Sequence, residues 1–593
     1  MTELVAPMQG TVVLVSVGPG DRVRAGQQVV VLESMKMEHV VAAPEAGQVL
    51  SLAVAAGDTV KRDQPLVVIK PGEAEEVDEP SADAATGAER ADLAEVLRRR
   101  AATLDENRPE AVLRRHREGR RTARQNVEDL CDPGTFVEYG AFVVAAQRNR
   151  RPLDELIEKT PADGLVTGTA EINGMPCVVV AYDATVLAGT QGAYNHAKKD
   201  RMFELAARRG LPVVLFAEGG GGRPGDTDIP VVAALDAAAF SLFAQLSGVV
   251  PLIGIVAGRC FAGNAALLGC CDVIIATADA NIGMGGPAMI EGGGLGVVTP
   301  EEVGPLDVQV PNGVVDIAVA DEAEAVQVAK QYLSYFQGLT RWSTVDASGL
   351  RSAVPENRVR SYDVRAVIDL LADPGSVLEI RREFGVGIIT ALVRVEGRPM
   401  GLIANNPTHL GGAIDRDAAD KAARFLQLCD AHGLPVVSLC DTPGFMVGPE
   451  SERTATVRHF SRLFVTGANL TVPLCAIVLR KAYGLGAMAM FGGSAKLPLA
   501  TVAWPTAEFG AMGLEGAVKL GFRRELDAIE DPVRRKETLD AMIQAAYEQG
   551  KALNAASMFE IDDVIDPADT RRWITAALPE TVARGRRPNI DTW

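Results

Sequence analysis

The chain has 593 residues, 47% of them hydrophobic and 23% charged, with a formal charge of −18. That length excludes a single hydrophobic core and predicts several globular domains. The acidic balance argues against nucleic acid as a partner, because no net basic field would neutralise phosphates. Aromatics make up only 5% while glycine numbers 59, which suits close helix–strand packing in an α/β protein. The eight cysteines (131, 177, 260, 270, 271, 429, 440 and 475) form no CxxC pair. Reduced thiols in a cytoplasmic protein are therefore expected, with no disulfide framework and no metal site. The first residues lack a basic, apolar leader pattern. The apolar run 231–258 is broken by Asp236, Gln245, Ser247 and Gly248, so it predicts buried helix and strand and no membrane span.

Residues 1–70 repeat themselves at an offset of 37: Ala6-Pro7 returns as Ala43-Pro44, Gly10 as Gly47, Gly20-Asp21 as Gly57-Asp58, and Val23 as Val60. Each half reads as short β-branched strands punctuated by Gly-Asp turns. Two such halves can bury their apolar faces together as a flattened barrel or sandwich. Between them stands Glu33-Ser34-Met35-Lys36-Met37-Glu38-His39, a turn that would present the Lys36 amine to solvent. The Met-Lys-Met tip, with Ala6-Pro7-Met8-x-Gly10 near the start, closely resembles the biotinyl domain family. That resemblance implies that a biotin protein ligase joins biotin to Lys36 by an amide, with Met35 and Met37 completing the cofactor-binding tip.

Residues 71–90 are acidic and rich in Pro, Gly and Ala, which predicts a flexible, self-repelling linker. At roughly 3.3 Å per residue its extended limit is about 60 Å. Arg98-Arg99-Arg100 and Arg114-Arg115-His116-Arg117 then fall on a helical stretch with an expected solvated or partner-facing surface.

The remainder contains a second duplication, at an offset of 223. Gly174-x-Pro176 returns as Gly397-x-Pro399, Thr185 as Thr408, Gly189 as Gly412, Lys198 as Lys421, and Gly210-Leu-Pro-Val-Val214 unchanged as Gly433–Val437. Each copy alternates strand-like runs with helix-length amphipathic segments, as in 197–209 and 418–432. That pattern predicts parallel sheets covered by helices, in an amino-terminal lobe over 91–345 and a carboxyl-terminal lobe over 346–593. Two Gly/Ala-rich turns follow matching strands, at 258–266 and 480–488. Small residues there let backbone N–H groups approach a developing oxyanion.

Residues from about 125 to 575 resemble the carboxyltransferase β subunits of acyl-CoA carboxylases, of the crotonase superfamily. The stretches that carry the likeness include Asp163-Gly-Leu-Val-Thr-Gly168, His196-Ala-Lys-Lys199, Asp441-Thr-Pro-Gly-Phe445, Ala503-Trp-Pro-Thr-Ala507, Met512-Gly-x-x-Gly-Ala517 and Asp566-Pro-x-x-Thr-Arg571. The resemblance implies two crotonase-like lobes whose catalytic turns are Ala262-Gly263 and Gly486-Ala487. One would polarise an acyl-CoA thioester and the other would steady the biotin ureido anion as the carboxyl group passes from carboxybiotin on Lys36 to the acyl α-carbon. It further implies a hexamer (a trimer of dimers), with sites between unlike lobes of dimer mates. Departures from the family pattern occur at Glu218-Gly-Gly-Gly-Gly-Arg223, after Gly285-Gly286-Pro287, at Val308–Gly313, and at Ala489, whose small side chain hints at room for a larger acyl group. No ATP-grasp loop is present, so ATP and Mg would act only on a separate biotin carboxylase subunit. Carrier followed by carboxyltransferase resembles the carboxyl-terminal half of single-chain bacterial long-chain acyl-CoA carboxylases. The rival expectation is an ATP-independent methylmalonyl-CoA transcarboxylase or decarboxylase.

Overall fold

The computed structural model describes residues 1–72, 90–223, 225–229, 235–580 and 589–593. Most of the acidic linker (73–89) lies outside the described residues. The chain divides into two compact units, Met1–Ala94 and Glu95–Trp593.

The described residues of the first unit form eight strands: β1 (Thr2–Val5), β2 (Gly10–Val15), β3 (Arg22–Val23), β4 (Gln28–Ser34), β5 (Met37–Ala42), β6 (Gly47–Leu52), β7 (Thr59–Val60) and β8 (Pro65–Pro71). They form two four-stranded sheets, β1-β8-β6-β3 and β5-β4-β2-β7. Exchanging the repeat halves converts one strand order into the other, so each sheet draws two strands from each half. The repeats are therefore interleaved, and neither half folds around itself. Alternating apolar residues from both sheets, among them Val12, Val30, Leu32, Val49, Leu66 and Ile69, fill the common core. Pro71, which opens the linker by composition, closes strand β8 opposite Gly47.

Beside a three-stranded sheet of 219–220, 259–261 and 281–283, the described residues of the second unit form two sheets of matching order. In the first, strands run 317–319, 273–277, 252–256, 213–216, 175–182, 165–172 and 137–139; in the second, 563–564, 500–503, 474–483, 436–442, 398–405, 388–395 and 378–380. In both, the last three strands are antiparallel and the others parallel. Strand interiors are continuous apolar runs because helices cover both faces. The helices Ala193–Arg209 and Arg416–His432 end on the repeated Gly210 and Gly433, both left-handed, which stops the helix at the same place in each copy. One apolar cluster takes residues from both lobes, including Ile253, Ile275 and Tyr332 from one and Leu426, Cys429 and Leu463 from the other. Across that seam Arg424 donates to the Asp272 carbonyl at 2.7 Å, and His432 meets the buried Asp272 carboxylate at 2.9 Å.

The arginine-rich approach to this unit differs from the sequence expectation. It is two helices, Ala91–Ala101 and Pro109–Arg117, because Pro109 favours a first helical position over a helix interior. Arg115 is not on a solvated face: it is 6% exposed and grips Glu218 with two bonds of 2.7 and 2.9 Å. Among the described residues, no helix is long and apolar enough to cross a membrane.

Candidate active site

Strands β4 and β5 pair through Ser34–Met37, which leaves Met35 and Lys36 as a two-residue turn. Both have positive φ, 54° and 63°, the turn geometry whose twist fits a hairpin but which Asn-Gly adopts most readily. Holding Met-Lys there is a local strain of the kind kept at functional sites. Met35 is 97% exposed and Met37 65%, so neither caps the core. Lys36 is exposed and has no ion pair among the described residues. From the tip, β5 runs six residues, about 20 Å, before the chain turns into Gly47 beside Pro71. The Lys36 amine and the exit toward the linker therefore lie at opposite ends of the carrier.

In the second unit each candidate turn faces a backbone strip that composition alone did not reveal. In the amino-terminal lobe the strip is Gly219–Gly222. A Cβ on Gly189 would meet the Glu218 carbonyl at 2.6 Å, and one on Gly221 would meet the Ala262 side chain at 2.9 Å. In the carboxyl-terminal lobe the strip is Pro443–Phe445. A Cβ on Gly486 would sit 2.7 Å from the Gly444 backbone and 3.0 Å from the Phe445 nitrogen, and one on Gly412 would strike the Asp441 carbonyl. The correspondence holds atom for atom at the repeat offset. Gln191 N donates to Gly221 O at 2.8 Å and Ile414 N to Gly444 O at 3.1 Å; Arg223 N donates to Gln191 O at 2.8 Å and Met446 N to Ile414 O at 2.9 Å. The signal that could have found both strips was in the sequence, since Glu218, Gly221 and Gly263 align with Asp441, Gly444 and Gly486.

Within the first turn the two named residues play different parts. The Ala262 N–H is committed to the Gly283 carbonyl at 3.0 Å. Ala262 takes φ 52°, ψ −123°, a conformation costly for a residue with a side chain. That kink starts the helix Gly263–Leu268, whose first-turn N–H groups have no intrahelical acceptor. Asn264 ties turn to strip, its amide donating to the Glu218 and Gly189 carbonyls at 2.8 and 3.2 Å. In the second turn, Gly486 and the buried Ala487 lie in the first turn of the helix Gly484–Met490, packed on Gly444. Both arrangements suit an oxygen that gains negative charge against fixed N–H dipoles.

The strips are anchored by acids at their roots. Glu218 is held by Arg115, yet burial still pushes its carboxyl up to about 7. Asp441 is fully buried and accepts from Tyr362 Oη at 2.9 Å, Arg480 Nε at 3.1 Å and Lys481 N at 3.1 Å. Behind the second turn an apolar cavity of about 610 Å³ is lined by Ala487, Met488, Phe491, Phe509, Leu514 and Phe522 among others. Ala489 is 1% exposed and belongs to the core cluster. The room near this turn is thus framed by its helix neighbours.

A separate carrier tip, and two lobes that each pair a glycine strip with a turn, make up a biotin-carrying carboxyltransferase of the acyl-CoA carboxylase type. Residues 2–69 match the model of the biotin-requiring enzyme family, and residues 114–589 match that of the carboxyl transferase domain. The methylmalonyl-CoA carboxyltransferase 12S subunit of Propionibacterium freudenreichii subsp. shermanii is 36% identical over 488 residues, covering 79% of this chain and 90% of that protein. Among solved structures, a single-chain, multi-domain long-chain acyl-CoA carboxylase superposes with a TM-score of 0.80 at 58% identity. That match takes in 97% of this chain, which spans only 56% of that longer one. The hexameric transcarboxylase 12S structure gives a TM-score of 0.73 at 31% identity, over 85% of this chain and 99% of that one. The chain belongs to the carboxyl transferase family.

Proposed function

We propose that this chain moves a carboxyl group between biotin carried on Lys36 and the α-carbon of an acyl-CoA, after a separate biotin carboxylase subunit has loaded the biotin with ATP and Mg. The observation that carries this reading is the duplicated strip-and-turn, which offers two backbone sites to two oxyanions, together with a carrier unit that holds one strained, solvent-facing lysine. The exposed Lys36 tip fits biotin, which when bound supplies a ureido nitrogen able to carry and release the carboxyl group and to serve as base. Gly263 and Gly486 hold the turns open so that N–H groups meet the thioester oxygen in one lobe and the ureido oxygen in the other. Ala262 and Ala487 set the backbone direction, and Met35 and Met37 offer an apolar collar to the carried ring. No side-chain base is required of the turns, because they act by stabilising charge.

The wider assembly belongs to the same proposal: a cytoplasmic hexamer, a trimer of dimers, with each site between unlike lobes of dimer mates and a biotin protein ligase modifying Lys36. The apolar cavity beside the second turn supports an extended acyl chain. Likeness to a methylmalonyl-CoA carboxyltransferase supports a second reading, ATP-independent transcarboxylation or decarboxylation at the same turns. Biotinylated protein should decarboxylate malonyl-CoA, methylmalonyl-CoA or a longer 2-carboxyacyl-CoA without ATP, and Lys36→Arg should not. Carboxylation of acyl-CoA on adding ATP, bicarbonate and a biotin carboxylase subunit supports the carboxylase, and persistent dependence on a second carboxyl acceptor supports the transcarboxylase. Turnover by Lys36→Arg with no free biotin would defeat both.

A further inference from the structure

The two turns share a backbone but not the side chains behind it. In the amino-terminal lobe a buried hydrogen-bonded chain leads away from the turn. Gln191 Nε2 donates to Asn264 Oδ1 at 2.7 Å and to Tyr182 Oη at 3.1 Å, and Lys199 Nζ donates to the same Tyr182 Oη at 2.9 Å. Lys199 and Asn264 are 0% exposed, Tyr182 2% and Gln191 4%. Gln191 also bonds through its backbone to Gly221 of the strip and to Arg223 just after it, and its amide lies 3.0 Å from where a Cβ on Gly263 would stand. At the equivalent positions the carboxyl-terminal lobe has Asn405, Ile414 and Ala422, which cannot form such a chain.

Lys199 belongs to the His196-Ala-Lys-Lys199 motif. A fully buried ammonium is costly unless paired, and Lys199 forms no ion pair within 4.0 Å among the described residues. Resting on the function proposed above, we infer that Lys199, acting through Tyr182 and Gln191, is a positioning residue of the amino-terminal turn. It fixes the Gly263 backbone and supplies positive potential behind it while the guest oxygen gains negative charge. A rigid donor set and a buried cation cost no reorganisation at that moment.

Burial draws the Lys199 ammonium down to about 7, with Asp200 and Asp163 opposing that shift. His196 is held down to about 4 by burial and by Lys199, and it stays neutral near pH 7. Burial raises the Tyr182 phenol and the neighbouring Cys260 thiol, so both keep their protons. Within the chain Lys199 is thus the member whose charge fades as pH rises through neutrality, while Glu218 at the strip root, raised to about 7, gains its charge over the same range and keeps doing so in Lys199→Met.

The test uses full-length biotinylated protein and ATP-independent decarboxylation of a 2-carboxyacyl-CoA. Lys199→Met should lower kcat about tenfold, equivalent to about 1.4 kcal/mol in the barrier, with KM within about twofold, and should remove a limb near pH 7 from the kcat profile. Tyr182→Phe keeps the lysine but breaks the chain, and it should reproduce the kcat loss. Circular dichroism and thermal unfolding establish that each variant is folded, and Tyr182→Phe alone decides if Lys199→Met is not. Wild-type kcat and pH profile in Tyr182→Phe would overturn the inference, as would a loss confined to Lys199→Met. A wild-type chain inactive on every 2-carboxyacyl-CoA would instead defeat the proposed function itself.

Discussion

The two lobes are copies in backbone and strangers in their supports. Each sets a glycine strip against a turn, with one helix start wedged on the other strand's backbone. The strip-root acid is Glu218 in one lobe and Asp441 in the other. Glu218 takes its arginine from the helix Pro109–Arg117, which precedes the lobe in sequence. Asp441 takes Arg480 from the neighbouring strand of its own sheet. Close approach or a positive φ disfavours a side chain, which accounts for glycine at both 221 and 444 and at both 263 and 486. Side chains that only tune the turn were free to diverge, and two different guests would reward that divergence.

The largest expected effect is on the carrier, because both lobes depend on it equally. Lys36→Arg should prevent biotin attachment, read as loss of a mass increment of about 226 Da and of the streptavidin signal, and should stop carboxyl transfer while the twin lobes stay folded. If transfer continued, the lobes would be acting without the carrier, and comparing them as two halves of one biotin-dependent site would fail.

Gly486→Ala and Gly263→Ala ask how equal the turns are. The added Cβ on Gly486 meets fixed backbone at 2.7 Å, whereas on Gly263 it meets the end of the Gln191 side chain at 3.0 Å. Gly486→Ala should therefore cost about 10²- to 10³-fold in kcat, the scale of a lost oxyanion donor, and Gly263→Ala about tenfold. Equal losses would show that the Gln191 amide is as immovable as backbone. The strip anchors should differ in the same sense. Arg480→Ala leaves buried Asp441 with only the Lys481 ammonium, at 3.4 Å, as its cation and should cost about 3 kcal/mol in chemical unfolding. Arg115→Ala should cost about 1–3 kcal/mol and less at pH 6 than at pH 8, because the Glu218 carboxyl, raised to about 7 by burial, can take up a proton.

Much of this architecture was legible in the residues. Offsets of 37 and 223 located both duplications because turn glycines and Gly-Leu-Pro-Val-Val tolerate little change. Lys36 stood out because a Met-Lys-Met tip sits between the repeats. Interleaving of the carrier halves was not legible, since strand pairing across sheets leaves no mark on local alternation. The strips were missed because a run of four glycines names no partner; only the fold brings Gly221 to Ala262 and Gly444 to Gly486. Arg115 was misread because a basic run looks solvated until its acid, 103 residues away, is known. Gln191 and Tyr182 carried no signal at all, being polar residues whose meaning lies in contacts.

The smallest effect isolates one pair of repeat-equivalent lysines. Burial lowers Lys198 to about 8 and Lys199 and Lys421 to about 7. Between pH 7 and about 9 the unfolded lysines hold protons that the folded ones have lost, so stability of the twin-lobed unit should rise with pH across that window; above it the buried cysteine thiols, raised by burial, reverse the slope. Glu218 acts oppositely between about pH 4.5 and 7, where the folded carboxyl keeps a proton that the unfolded one gives up. Thermal unfolding of this unit should therefore show little pH dependence from about pH 4.5 to 6.5, where His196, held down to about 4, offsets Glu218, and then a shallow rise between neutrality and about pH 9. The carrier, with no buried ionisable side chain among its described residues, should show none. Lys198 Nζ donates to the Ala162 and Leu165 carbonyls, whereas Lys421 Nζ has no hydrogen-bond partner among the described residues. Lys198→Met should accordingly destabilise by about 1–3 kcal/mol by stranding two buried acceptors. Lys421→Met should stabilise at pH 7 by about 1–3 kcal/mol, because a buried polar group with nothing to bond is replaced by one that needs nothing, and should flatten the alkaline rise. Equal and opposite signs at positions 223 apart would show that duplication kept the lysine but not its reason; loss of stability in both would mean that Lys421 holds a partner, such as an internal water, on which its lobe depends.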